Sequence, residues 1–384
     1  MALKGFWNVG IAHLVGNVIT GVFWLVLAAL VGPENYAEIN YFLAIAYMLS
    51  VVSFVGAGNT LVVYTAKGID LLKPIAFLSI IISIAISLIL FFIFYNVGVS
   101  LHVFGFVIFG LIVYAYLGSK LYRQFGKIII VQKILMVSFA ISLYYIIGVN
   151  GVILGIALSF LPFSYNLAKA LKNSKLNFGN LRTRLPHLMN SYGLDLSRIF
   201  PVYADKLIIL PLFGLSLLGS YQLGIQILLA LSVLPISVFE YSLSQNANGI
   251  STKKLKMVTV ILSIIFAIAG FFLSPILIPV LFPQYNEAVE IIEIMIISIV
   301  PITMSLMYNS KFLVIEKNKL VFIGSGIFLV IQMMGIVFIG QIYGIVGAAI
   351  ALLLAASIQA IFLIISDQLI NRYDKFFKYK NVKI

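Results

Sequence analysis

The sequence contains no cysteine and only three histidines, His13, His102 and His187. The lack of cysteine excludes disulfides and thiolate chemistry. The histidines are scattered along the chain, without the short spacing that is typical of metal ligands. The sequence therefore predicts neither a bound metal nor another cofactor.

Charged residues are also scarce. They make up 10% of the chain, whereas a soluble domain has about 25%. Hydrophobic residues make up 62%, and the mean hydropathy is +1.13. This composition predicts an all-α polytopic membrane protein, since helices satisfy their own backbone hydrogen bonds in lipid.

The motifs of common enzymes are missing as well. The chain has no phosphate-binding GxxxxGK[ST] loop, no GxSxG and no HExxH, the patterns of nucleotide hydrolysis, serine hydrolysis and zinc hydrolysis. The gaps predicted to face the outside are only a few residues long. They are too short for the catalytic loop of a membrane glycosyltransferase, so we predict that the protein is not an enzyme.

Apolar runs of about 20 residues, each long enough to cross a bilayer, follow one another along the chain. Glycine, proline, asparagine and charged residues separate them. We predict twelve transmembrane helices, at 6–31, 39–65, 75–97, 99–121, 128–147, 152–171, 188–213, 221–243, 257–281, 288–313, 320–339 and 345–365.

Lysine and arginine occur at alternate gaps between these spans. The basic gaps contain Lys67 and Lys73, Lys120 to Lys127, Lys169 to Arg184, Lys253 to Lys256, and Lys311 to Lys319, and a basic tail ends the chain. The intervening gaps have no lysine or arginine. The positive-inside rule then places both termini in the cytoplasm of a plasma-membrane protein. The net charge of +13 is explained by this topology and by attraction to membrane lipids, so no nucleic-acid partner is predicted.

The two halves of the chain are similar to one another. Leu-x-Gly turns at Leu30–Gly32 and Leu212–Gly214 precede the second and eighth spans, and similar Gly-rich turns at Gly151 and Gly344 precede the sixth and twelfth. We therefore predict two six-helix lobes, 1–172 and 188–368, with a central cavity between them. A basic cytoplasmic linker, 173–187, joins the lobes, and a basic cytoplasmic tail, 369–384, follows them. Repeats of six spans have the same orientation in the membrane.

The seventh span is unusual because Asp195, Arg198, Asp205 and Lys206 lie in it. On a helix these side chains share about a third of the circumference. A charge that faces lipid at the bilayer centre costs about 3 kcal/mol or more, so we expect the stripe to face a cavity or the interior of the bundle. Pro201 interrupts the helix and frees a carbonyl, as at many transport sites. A salt-bridge network that only fixes helix packing is the alternative.

Further polar residues are candidates for the cavity. His13 and Asn17 follow one face of the first span, and Gln226 lies in the eighth. Neutral polar stripes also join helices to one another in membranes, so a packing role is equally consistent with these three residues.

The order of these motifs is similar to that of the Wzx-type polysaccharide flippases. The opening LVGPENYAEINYF resembles their Leu-Gly-Pro-Glu-x-Tyr-Gly turn, with Ala37 in place of the last glycine. The segment Ala204–Leu210, followed by Leu218-Gly219-Ser220-Tyr221, resembles their Asp-containing seventh helix and the entry to the eighth. Phe282–Ala288 resembles the turn before the tenth. Many members have fourteen helices, so this chain resembles a minimal form.

The resemblance implies the fold of the multidrug/oligosaccharidyl-lipid/polysaccharide (MOP) superfamily, which includes the MATE transporters. It implies that the protein moves a polyprenyl-diphosphate-linked oligosaccharide across the membrane by alternating access, for O-antigen, lipopolysaccharide or capsule synthesis beside other polysaccharide-synthesis proteins. Because both lobes lie in one chain, we expect a monomer. Arg198 or Lys206 then binds the diphosphate or an acidic sugar, and Asp195 or Asp205 takes up a coupling proton or sodium ion. The alternatives are a cation-coupled multidrug or metabolite antiporter of the same superfamily and a peptidoglycan-precursor flippase.

Overall fold

In the computed structural model, residues 2–247, 250–285 and 287–381 are described, with all side chains except those of 2–9, 11, 244, 247 and 371–381. Over these ranges the chain forms helices and no strand, which confirms the predicted all-α fold. The helices are α1 (Ala2–Phe54), α2 (Ala57–Ala66), α3 (Leu72–Phe94), α4 (Val97–Gly118), α5 (Tyr122–Ile147), α6 (Val149–Leu158), α7 (Ser164–Lys172), α8 (Phe178–Arg182), α9 (Leu185–Leu231), α10 (Val233–Ala247), α11 (Lys253–Leu281), α12 (Ala288–Ile297), α13 (Ile299–Val314) and α14 (Asn318–Asn381).

Nine helical stretches in the described ranges are long and apolar enough to cross a membrane, so the chain is a multi-pass membrane protein. Three of them, in α1, α9 and α14, each contain one glycine with non-helical backbone angles, at Gly32, Gly214 and Gly344. These glycines lie where the sequence predicts a gap between two spans. The predicted count of twelve is reached only if each of the three helices is divided at its glycine.

Positive φ angles explain why glycine occupies these turns. The φ values are +75° at Gly32, +67° at Gly148, +83° at Gly214 and +62° at Gly344, a region that side chains with a Cβ rarely adopt. All four lie in gaps that have no lysine or arginine. Gly32 and Gly214 occupy the same place in the two predicted repeats. Gly344 has the same ψ as Gly148, −145°, so the backbone matches Gly344 to Gly148 and not to Gly151, with which the sequence comparison pairs it.

Several predicted spans are interrupted. The second span breaks at Val55 and Gly56, the sixth passes through a short 3-10 turn at Leu161–Phe163, and Ser232 and Ser298 separate the helices of the eighth and tenth. Gly56 has φ +70°, and a Cβ there would lie 2.4 Å from the Leu188 carbonyl oxygen. The break at Gly56 therefore brings the backbone of α9 against the end of the second span.

The chain divides into two compact units. The first contains Met1–Val31 and Asn35–Lys206, and the second contains Gly32–Glu34 and Leu207–Ile384. In the first unit α4 packs on α2, α3 and α6, and α5 packs on α6; in the second α13 packs on α10, α11 and α14, and α11 packs on α12. The predicted lobes, 1–172 and 188–368, follow the sequence repeat and stay a prediction. Most of the predicted tail, 369–384, has no described side chains.

Glycines allow helices to approach closely at matching places in the two repeats. A Cβ on Gly151 in α6 would clash with the Leu143 carbonyl oxygen in α5, across the turn at Gly148. In α14, a Cβ on Gly347 would lie 2.4 Å from the Ile339 carbonyl oxygen across the turn at Gly344. Small residues at such crossings are typical of membrane helices, and here the helices on either side of the turn are in backbone contact.

Asp70 ties two basic turns of the first unit together. Its carboxylate accepts hydrogen bonds from the Leu72 amide (3.1 Å), the Ser174 hydroxyl (2.7 Å) and the Lys175 amide (3.0 Å). The turn before α3 is thereby joined to the segment after α7.

We expect Asp70→Ala to lower the free energy of unfolding by about 1–2 kcal/mol, since the contacts are charge-assisted but the site is exposed. Thermal unfolding of the purified chain in detergent measures this change. Glu34→Ala removes an exposed carboxylate that has no described hydrogen bond and serves as the control. Equal unfolding temperatures of the two variants would contradict the conclusion that Asp70 stabilises the contact between these two segments.

Candidate functional site

The centre of the candidate site is a buried ion pair in α9. Asp205 and Lys206 are 1% and 2% exposed, and the Lys206 Nζ lies 3.0 Å from Asp205 Oδ1. The Lys206 ammonium also donates to the Val202 carbonyl oxygen, one helical turn back, at 3.0 Å. The same Asp205 oxygen accepts from the Lys206 backbone amide at 2.8 Å. The pair is therefore held by its own helix.

One aromatic ring lies beside the cation, and two further rings follow it. The Lys206 Nζ lies 5.4 Å from the centre of the Tyr203 ring, a distance suited to a cation–π contact. Tyr203 stacks on Tyr47 of α1 at 5.4 Å, and Tyr47 meets the edge of His102 of α4 at 4.4 Å. Both ring nitrogens of His102, which is completely buried, lack a hydrogen-bond partner in the described chain. A continuous set of rings thus joins α1, α4 and α9 beside the ion pair.

The predicted charged stripe is divided between two environments. Asp195 is half-buried and Arg198 is exposed, while Asp205 and Lys206, further along α9, are buried. No nitrogen–oxygen distance within 4.0 Å joins Asp195 to Arg198 among the described ion pairs. Asp195 and Arg198, whose i,i+3 spacing favours a pair on one helix face, therefore form no close ion pair. The close pair in α9 is instead the adjacent one.

The other predicted residues are placed separately. His13 is half-buried, and its ring lies 5.5 Å from Phe125 of α5; Asn17 is exposed. In the described chain, no hydrogen bond, ion pair or ring contact joins either residue to Asp205 or Lys206. Gln226 is buried in the second unit.

Three cavities lie elsewhere in the described chain, and none of the predicted site residues lines any of them. A cavity of about 820 Å³ in the first unit is bordered by the basic turns around α3, α5 and α7. The second unit has one of about 720 Å³ at the start of α11 and one of about 480 Å³ near Glu287 and Glu290. Within the described residues, no group of three histidine or acidic side chains is arranged to hold a metal ion.

Sequence reasoning missed the aromatic part of the site. Tyr47 and Tyr203 belong to a large set of tyrosines that are mostly expected at membrane interfaces, and His102 is one isolated histidine. Their position was the available signal: His102 lies inside an apolar span, near its beginning, and Tyr203 is three residues before Lys206.

The fold is shared with solved membrane transporters. The inward closed conformation of the lipid II flippase MurJ matches with a TM-score of 0.77 and 15% identity, over 93% of this chain and 87% of that chain. An inward-facing multidrug resistance MATE family transporter of the MOP superfamily matches with a TM-score of 0.74 and 14% identity, over 94% and 96%. An outward-facing form matches with a TM-score of 0.70 and 14% identity, over 97% and 96%.

These matches show the all-helical fold of MOP-superfamily transporters over nearly the whole chain. Each of the three proteins is a transporter or a flippase. No protein-family model matches the sequence, and no curated protein matches it significantly.

Proposed function

We propose that this protein is a flippase that moves a polyprenyl-diphosphate-linked oligosaccharide across the plasma membrane for surface polysaccharide synthesis. The likeness to the lipid II flippase MurJ supports a flippase function for this fold. The sequence motifs that resemble Wzx-type flippases support the choice of cargo. We further propose that the chain acts as a monomer with both termini in the cytoplasm.

The observation that favours this cargo over a cationic drug is the pairing of Asp205. An exporter of cations needs an acidic side chain that is free to bind them in the membrane. Asp205 is instead compensated by Lys206 at 3.0 Å. A lysine ammonium provides three donors, of which the described hydrogen bonds use two. The third becomes available to an anionic group when alternating access opens this buried position.

In this proposal the diphosphate or an acidic sugar competes with Asp205 for Lys206. Phosphate oxygens are strong acceptors for ammonium groups, and separating the ion pair would leave Asp205 to take up a proton or sodium ion. Arg198, which is exposed, offers a first contact for the anionic head. His13, Asn17 and Gln226 are proposed to bind sugar hydroxyls as the two lobes alternate.

A cation-coupled multidrug or metabolite antiporter is the second candidate. It is favoured by Asp195, which is half-buried and has no ion-pair partner within 4.0 Å among the described residues. Two of the similar structures are multidrug resistance transporters. In this case Asp195, and not the pair at Asp205, would bind the cation.

Translocation in proteoliposomes tests the proposal. A fluorescent polyprenyl-diphosphate oligosaccharide, lipid II and a cationic dye are compared in parallel, with and without proton or sodium gradients. We expect transport of the oligosaccharide carrier above that of protein-free vesicles and no transport of the dye. Dye transport alone would favour the antiporter. Transport of lipid II alone would correct the cargo to a peptidoglycan precursor.

A further inference from the structure

The cavity of about 720 Å³ in the second unit combines positive charge with an apolar lining. It lies where the first turn of α11, the end of α13 and Asp367 of α14 meet. Lys253, Lys256 and Lys311 line it, and Asp367 is the one acidic residue among the lining residues of this cavity. The cavity therefore has a formal excess of positive charge, on the face that the basic gaps place in the cytoplasm.

Lys256 is fixed in a position to bind an anion. Its ammonium donates to the Met307 carbonyl oxygen at 3.1 Å and to the Ser310 hydroxyl at 2.6 Å. An ammonium has three donors, so one remains for a ligand in the cavity. Lys311 pairs with Asp367, and Lys253 is exposed at the start of α11. The amino end of this long helix adds its own partial positive charge.

Apart from Asn246, Ser251 and Thr252, most of the rest of the lining is apolar, and part of it is open. Met257 and Ile261 are 59% and 50% exposed, and Met304, Val260 and Val314 also line the cavity. Methionine side chains are flexible and pack against irregular apolar chains. A small soluble anion would not contact this apolar surface. An anion with a hydrocarbon chain would cover it and so remove apolar area from water.

The cavity at the matching place in the first unit is different. It is also bordered by basic turns and contains Lys127 and Lys169, but its lining includes Asp70, Gln124, Asn166 and Asn173. The polar share of this lining is larger than that of the second unit. Both cavities combine lysines with apolar side chains, but the lining beside the lysines is more apolar in the second unit, which the repeat does not require.

We propose that the cavity of the second unit binds an anionic phospholipid from the cytoplasmic leaflet. Its phosphate contacts Lys256 and Lys253, and an acyl chain lies against Met257 and Ile261. Clusters of lysine beside membrane helices attract anionic headgroups, and here the apolar lining gives the chain a place beside them. This lipid site is separate from the proposed transport site at Lys206 and requires no transport.

Lipid binding to the purified full-length chain, measured by native mass spectrometry, tests this site. Phosphatidylglycerol is compared with phosphatidylcholine of the same acyl chains, and inorganic phosphate is added as a competitor. We expect phosphatidylglycerol to bind preferentially. In Lys253→Gln/Lys256→Gln its affinity should fall about thirty-fold, as expected for two lysines near a headgroup.

The matched control is Lys254→Gln/Lys317→Gln, which removes the same charge from exposed lysines that do not line the cavity. Its affinity should stay within about two-fold, as expected for screened surface charges. Lys253→Gln alone removes no described contact of the fold, so it should not cause misfolding. It should still weaken the binding of phosphatidylglycerol, and this loss can then be assigned to the lipid site. Equal losses in the two double variants, or equal binding of both lipids, would overturn the site. If inorganic phosphate displaces the lipid completely, the proposal of a lipid ligand is overturned, and the ligand is free phosphate.

Discussion

Replacing Lys206 with methionine is expected to lower the free energy of unfolding by about 3–5 kcal/mol, because it leaves the buried carboxylate of Asp205 without its cation. The lysine is 2% exposed, and its ammonium is 3.0 Å from the carboxylate. Thermal unfolding in detergent, together with the yield of folded protein from membranes, measures the loss. Lys317→Met, which removes an exposed lysine with no described ion pair, is the control and should be nearly neutral.

The double variant Asp205→Asn/Lys206→Met should recover most of that stability. Replacement of both members of a buried ion pair by neutral groups is often close to neutral, and the asparagine oxygen can still accept from the backbone amide of residue 206. A double variant as unstable as Lys206→Met would contradict this account of the pair. If it is stable, it provides a folded protein in which only the charges of the proposed site are missing.

The second large effect is expected at Gly155. A leucine there should lower the free energy of unfolding by about 3 kcal/mol or more, since its Cβ alone would lie 2.5 Å from the Ala140 backbone nitrogen and over-packing of this kind displaces a helix. Gly155→Ala should already be destabilising, because the atom that it meets is backbone and cannot rotate away. Both variants are compared by thermal unfolding in detergent.

Gly326 provides the control for this prediction. A Cβ on Gly326 would have no atom within 4 Å, so Gly326→Leu introduces the same side chain into a membrane helix without a clash. It should unfold at nearly the wild-type temperature. Equal unfolding temperatures for Gly155→Leu and Gly326→Leu would show that α5 and α6 are not in the close contact described.

The fold could be predicted largely from the sequence because its main determinants are local. Apolar runs and turn glycines fix where helices begin and end, and Gly32, Gly148, Gly214 and Gly344 all lie in predicted gaps. The predicted spans run through the breaks at Gly56, Ser232 and Ser298. Two of these breaks lie three residues before a proline, Pro235 and Pro301, which disturbs a helix about one turn back, and Pro235 indicates a kink in the eighth span. The close approach of α9 that requires glycine at position 56 depends on tertiary packing.

The candidate site could be predicted only in part. The sequence indicates that the charges in α9 need partners of opposite charge, but it does not show which ion pairs form. The i,i+3 spacing of Asp195 and Arg198 favours a pair, yet the close ion pair is the adjacent one at Asp205 and Lys206, both of which are buried. The contacts of Tyr203 with Tyr47 and of Tyr47 with His102 join three helices, and such contacts have no signature in one sequence.

The most direct test of the proposed transport site compares wild-type protein with Asp205→Asn/Lys206→Met in proteoliposomes. Both are reconstituted in equal folded amounts, and the inner-to-outer movement of a fluorescent polyprenyl-diphosphate oligosaccharide is followed. We predict that the wild-type protein moves this carrier and that the double variant does not. Equal transport by the two proteins would contradict the account and would leave the buried pair with a structural role alone.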